Sequence, residues 1–189
     1  MGNILCFKNQ KVKVSVSETN YNYKCKYTSH NFNNTSASLV KDRSYYVRFV
    51  DIYDADTLTC IAEVFPSLFQ KITVRIIGID ACEMTSKNSD AKDYALRARN
   101  RVINYLTNNN IQVSNSTKRS QIRELLNNNI YLIYVKFLGQ DKYGRTLGDV
   151  YLNENSESIS NILLNEKLAI PYSGGKRLDD LEQLKKLNG

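Results

Sequence analysis

Asp141-Lys142-Tyr143-Gly144-Arg145-Thr146-Leu147-Gly148-Asp149-Val150-Tyr151-Leu152 reads as a tight turn that leads into a strand. Ile130 to Leu138, just upstream, reads as another strand, so Gly139 to Arg145 is the turn between them. Downstream, Ser158 to Leu168 has the spacing of a short amphipathic helix with Ile159, Ile162, Leu163 and Leu168 facing inward. Pro171 and Gly174-Gly175 break the chain. Lys176 to Leu187 then reads as a last helix, with Leu178, Leu181, Leu184 and Leu187 at spacing three.

Further upstream, Ser89 reads as an N-cap, with Asp90 and Asp93 in the first turn of a helix that runs to about Thr107. Its apolar positions are Ala91, Ala95, Ala98, Val102, Tyr105 and Leu106, with Lys92, Arg99 and Asn100 on other faces. The runs Asn108–Asn110 and Asn127–Asn129 read as solvated loops around a short helix, Lys118 to Leu126. Three strands come first: Tyr45 to Ile52, Thr57 to Val64 and Ile72 to Ile79. The third is apolar on both faces apart from Thr73 and Arg75, so it is expected to be buried. The order predicts an α+β fold: a five-stranded Greek-key barrel of the OB type with about three helices packed against it.

The chain of 189 residues suffices for one domain with an appendage. Residues 1–43 hold seven basic and two acidic residues, whereas the rest holds 19 and 17, so most of the net charge of +7 sits in the first quarter. Residues 1–43 are read as a basic, disordered arm, and 44–189 as the folded domain. Such an arm suits nucleic acid or an anionic membrane surface. No apolar run approaches the roughly 18 residues that span a bilayer, and no secretory signal is recognised. Cys6, Cys25, Cys60 and Cys82 form no CxxC pair and His30 is the only histidine, which argues against structural zinc. The cysteines are read as reduced thiols of an intracellular, monomeric protein.

Two acidic clusters lie at strand ends: Asp54-Ala55-Asp56-Thr57, and Asp80-Ala81-Cys82-Glu83. Taken singly, each carboxylate is most simply a solvated loop residue. Together they can converge, and converging carboxylates repel unless a cation or an arginine neutralises them. Oxygen ligands of this kind suit calcium or magnesium. Arg75 lies within an apolar strand, so it either reaches a buried carboxylate or faces a cleft. Arg75 and Arg145 both carry the planar fork that clamps a phosphate. Carboxylates and arginines in this set suggest a metal-dependent phosphodiesterase.

Residues 44 to about 173 resemble a staphylococcal (thermonuclease-type) nuclease domain. Three blocks carry the resemblance: Asp54-Ala55-Asp56-Thr57, Val74-Arg75-Ile76-Ile77-Gly78-Ile79-Asp80-Ala81-Cys82-Glu83, and Asp141-Lys142-Tyr143-Gly144-Arg145. Leu168-Ala169 falls where the family has a Gly-Leu-Ala element. The resemblance implies a calcium-dependent endonuclease that hydrolyses DNA or RNA with little sequence preference and leaves 3′-phosphate ends. It implies that Asp56, Asp80 and the main-chain carbonyl of Ala81 hold one calcium ion. Glu83 would stand beside the attacking water, and Arg75 and Arg145 would bind the scissile phosphate. Lys142 and Tyr143 would lie beside the bound nucleotide. Ala55 replaces a glycine of the family pattern, Ala81 a frequent threonine and Cys82 a proline. The alternative is a non-catalytic nucleic-acid- or protein-binding module on the same barrel. Such a module is expected to lack at least one of Asp56, Arg75, Asp80, Glu83 and Arg145, and all five are present.

Met1-Gly2, Cys6 and then Lys8, Lys11 and Lys13 resemble an acylation site. Gly2 would carry myristate, Cys6 palmitate, and the lysines would face anionic lipid on the cytoplasmic side of a membrane. Cys6 stands where the pattern prefers Ser or Thr.

Overall fold

The computed structural model describes residues 40–188. Residues 1–39 of the expected arm, with the alternating run 11–16, Gly2 and Cys6, lie outside the described residues, whereas its last residues are described and Arg43 already belongs to the barrel. Five strands form a closed barrel: β1 (Arg43–Asp54), β2 (Thr57–Phe65), β3 (Leu68–Ile76), β5 (Leu132–Gln140) and β6 (Thr146–Tyr151). The order around the barrel is β1-β2-β3-β6-β5, closed by antiparallel pairing of β5 with β1. The β3–β6 contact is parallel, and the other pairs are antiparallel. A second ladder of two short strands, β4 (Gly78–Asp80) and β7 (Ile170–Tyr172), stands beside it.

Period-two patterning builds the barrel interior. Leu58, Cys60, Ala62 and Val64 of β2 alternate inward, as do Ile133, Val135 and Phe137 of β5. Gly148 on β6 closes the barrel: a Cβ there would stand 2.9 Å from Val74 Cγ1 and 3.1 Å from Val135 Cγ1. Only a residue without a side chain lets β6 approach β3 so closely. The barrel starts at Arg43, and just before it Val40 is buried in the core while the Asp42 amide donates to the Phe137 carbonyl at 2.8 Å.

The third strand does not run on to Ile79. It ends at Ile76, where the Ile77 amide donates to the Gly148 carbonyl and the Ser160 hydroxyl donates to the Ile77 carbonyl. Gly78 then takes φ +80, open to glycine, and turns the chain into β4. The apolar run hides this break because both pieces are buried. The same strand starts earlier than expected, at Leu68, after a hairpin in which Ser67 has φ 63 and its amide donates to the Glu63 carboxylate.

Four helices among the described residues pack on this frame: α1 (Ser89–Leu106), α2 (Arg119–Asn128), α3 (Ile159–Asn165) and α4 (Asp180–Asn188). The cap of α1 is Asn88 rather than Ser89; its Oδ1 accepts from the amides of Asp90 and Ala91. Arg99 and Asn100 of α1 are buried, not solvated. Arg99 donates to the Thr117 carbonyl and Asn100 to Asn115 Oδ1, which pins the connection to α2. Asn127 and Asn128 belong to the end of α2 rather than to a loop, whereas Asn108 and Asn109 take positive φ after α1. Leu184 and Leu187 of α4 pack with Cys82, Ala91, Ala95 and Ile170 in a second small core. No helix among the described residues is long and apolar enough to cross a membrane.

Candidate active site

The β2–β3 register decides where Arg75 goes. Thr57 lies opposite Arg75, so the guanidinium arrives beside Asp56. Arg75 pairs with Asp56 Oδ2 and donates to Asp80 Oδ1 at 3.3 Å and to the Ile79 carbonyl at 3.3 Å. It is nearly buried, at 8% exposure. Both open readings of this arginine are met at once: it reaches buried carboxylates and it lines a cleft.

That cleft has a volume of about 970 Å³. Asp56, Arg75, Asp80, Glu83, Lys142, Tyr143 and Arg145 all line it, and so does Asp54. The three sequence blocks are therefore brought to one place. Asp56 is held by the Thr57 hydroxyl, at 3.0 Å to Oδ1, and by the Ala81 amide, at 3.1 Å to Oδ2. The Ala81 amide bond carries the consequence of the β4 turn: it brings the Ala81 backbone beside Asp56. Ala55 is fully buried and keeps a negative φ, so the missing glycine leaves no backbone strain here.

Arg145 reaches the same cleft from the turn between β5 and β6. Asp141 shapes its turn: Oδ1 accepts from the amides of Tyr143 and Arg145, each at 2.9 Å, and Oδ2 accepts from Arg145 Nε at 2.7 Å. Gly144 supplies the φ of +77 that the turn requires. Burial alone would raise the Asp141 carboxyl, but these hydrogen bonds outweigh it and hold it below the usual range. The arginine head stays 46% exposed and stands 5.7 Å from the Tyr143 ring centroid. Lys142 Nζ lies 5.0 Å from the same ring.

Two residues of the site, Gln183 and Arg177, escaped the sequence reading, which places a third, Asp54, in an acidic cluster without a role of its own. Asp54 is buried, and its Oδ1 has no hydrogen-bond partner. Burial, with the Asp56 charge beside it, pushes its carboxyl up to about 7. Gln183 of α4 is buried and donates to Asp80 Oδ2 at 2.6 Å. Arg177, between β7 and α4, donates from Nε to Asp80 Oδ2 at 3.1 Å and from a terminal nitrogen to the Ala81 carbonyl at 2.5 Å, and it pairs with Glu83. Reading residues 176–187 as one helix hid Arg177. The helix starts only at Asp180, and the usable signal is Asp179, whose Oδ1 caps the Glu182 amide. Cys82 and Cys60 are free, buried thiols, and burial raises them to about 11 and about 12.

Formal charge over the whole cleft is even, with Asp54, Asp56, Asp80, Glu83 and Asp141 against Arg75, Arg145, Arg177, Lys142 and Lys176. The acids gather locally: Asp56, Asp80 and Glu83 pair with Arg75 and Arg177, with Asp54 beside Asp56. Burial raises the Asp80 carboxyl even with Arg177 and Arg75 against it. Among the described residues no three His, Cys, Asp or Glu side chains form a ready-made metal cage, because these carboxylates turn to arginines. The donor set nevertheless fits a hard cation: two buried carboxylates, an adjacent carbonyl and an orphaned carboxylate oxygen, all oxygen.

Comparison with known proteins agrees with this geometry. No curated protein matches the chain. Residues 73–188 match the family described as staphylococcal nuclease homologue. The matched segment begins inside β3 and includes Arg75, Asp80, Glu83 and Arg145; Asp54 and Asp56 precede it. With more than half of its length matched and a closed five-stranded barrel to carry the site, the chain belongs to the staphylococcal nuclease homologue family.

Proposed function

We propose that the protein is a calcium-dependent nuclease that hydrolyses phosphodiesters of DNA or RNA with little sequence preference. The observation that carries this reading is one cleft lined by Asp56, Asp80 and Glu83 together with Arg75 and Arg145. A phosphodiester resists attack because its anionic oxygens repel the nucleophile. Arg75 and Arg145 would bind those oxygens and hold them as charge builds in the transition state. Tyr143 and Lys142, exposed on the cleft rim, would lie along the nucleotide. Glu83 would orient the attacking water or take its proton. Asp56, Asp80 and the Ala81 carbonyl would hold one calcium ion, which when bound offsets phosphate charge and polarises phosphorus.

A cleft that only bound nucleic acid would not need this acid set beside the arginines. Incubation of end-labelled single-stranded DNA and RNA in calcium, followed by end-group analysis, tests the reading. Shortened products with 5′-hydroxyl and 3′-phosphate ends are expected. Retarded but intact strands would support the binding-module alternative. We propose further that Gly2 and Cys6 are acylated and that the basic arm faces anionic lipid.

A further inference from the structure

Between β7 and α4 the chain runs Ser173-Gly174-Gly175-Lys176-Arg177 along the wall of the cleft. Gly174 and Gly175 have φ of 104 and 103, and no atom lies within 4 Å of where a Cβ would stand on either. Glycine is needed here for backbone shape and not for lack of room. The Tyr172 hydroxyl ties this strap by donating to the Gly175 carbonyl at 2.9 Å.

Arg177 ends the strap and meets three groups: Asp80 Oδ2, the Ala81 carbonyl and Glu83. Two of these are oxygens that a cation in the cleft would need. Asp80 Oδ2 and the Ala81 carbonyl each already give a lone pair to the guanidinium, so a hard ion that demands close oxygen ligands meets a cation bound to the same oxygens. A positive head at that distance also repels a dication. Without a cation, the same head neutralises acids that would otherwise repel one another.

We propose that Arg177 is an internal counter-ion that competes with the divalent cation for Asp80 and the Ala81 carbonyl, so that the glycine strap must release Arg177 before the cation can bind. This inference rests on the reading of the cleft as a calcium site. It makes Arg177 a residue that sets cation affinity, with Gly174 and Gly175 as the pivot.

Calorimetric titration of the full-length protein with calcium chloride, together with thermal unfolding in EDTA, tests it. Arg177→Ala and Arg177→Met should each bind calcium at least about tenfold more tightly than wild type. Both should unfold at a lower temperature than wild type in EDTA and gain more from added calcium. Arg177→Met keeps the apolar stem, so it reports the charge even where Arg177→Ala folds poorly. Asp56→Asn serves as control and should weaken binding in every background. Equal or weaker binding by the Arg177 variants, with Asp56 still required, overturns the counter-ion role and leaves the calcium site standing. Absence of calcium binding in wild type and variants, or binding indifferent to Asp56→Asn, overturns both.

Discussion

Arg75 and Arg145 are held in different ways although both are arginines at one cleft. Arg75 is buried and held by Asp56 and Asp80, so its fork is fixed before any substrate arrives. Arg145 is half-exposed and held by Asp141 through Nε, and no hydrogen bond among the described residues engages its terminal nitrogens. Arg145→Lys keeps the charge but loses the two-pronged geometry. It is expected to lower kcat by about 10²–10³-fold or more, the scale of losing one transition-state donor. The thermal transition should stay where it is in wild type; a near-normal kcat would reduce Arg145 to a surface turn residue. Arg145 is legible in the sequence because an aspartate, a glycine and an arginine at fixed offsets specify a turn without distant help. Arg177 is not, because its role depends on where a strap of about five residues crosses a cleft that local spacing does not encode.

Single strands and helices are placed by devices that act across the chain. Register shifts interrupt β1 between Phe49 and Asp51, and again between Ile52 and Asp54. Bulges of this kind re-aim side chains, and here Asp51 meets α2 while Asp54 enters the cleft. Asp51 accepts from Arg119 at 2.7 and 3.1 Å and from Arg123 at 2.7 Å, which docks α2 on β1. Burial alone would raise the Asp51 carboxyl, but the hydrogen bonds from Arg119 and Arg123 outweigh it and hold it below the usual range. A carboxyl depressed in the folded state stabilises above the unfolded value, about 4, and loses that contribution as pH falls further. Asp51→Asn is expected to lose about 1–2 kcal/mol at pH 7, discounted because both arginines are half-exposed. The gap between wild type and variant should close below about pH 4 in urea unfolding; a gap independent of pH would mean the charge is not what docks α2. The strands themselves are legible from alternation, and α1 from its alanine stripe. The bulges and the break at Gly78 are not, since an apolar run reads the same whether it continues in one ladder or changes to another.

Closure of the whole barrel depends on a contact far apart in sequence, β3 with β6. Gly148→Ala should cost about 1–3 kcal/mol, because Val74 and Val135 must shift to admit the methyl group. An unchanged denaturation midpoint would show that the barrel wall yields there. Every residue assigned to the chemistry lies after Val40, and Val40 itself fills the core. A chain beginning at Ser38 should therefore cleave nucleic acid at the full-length rate, whereas full-length Gly2→Ala should move from a membrane fraction to the soluble one. Loss of cleavage on truncation would bring the arm into the site; membrane recovery unaffected by Gly2→Ala would end the acylation proposal. The central claim is that acids and arginines gathered in one cleft make a calcium-dependent phosphodiesterase. Its most direct test is digestion of single-stranded and duplex DNA and of RNA by the full-length protein in calcium, in magnesium and in EDTA. Cleavage in calcium that EDTA abolishes is the result expected; cleavage undiminished in EDTA, or none with any substrate in calcium, would contradict it.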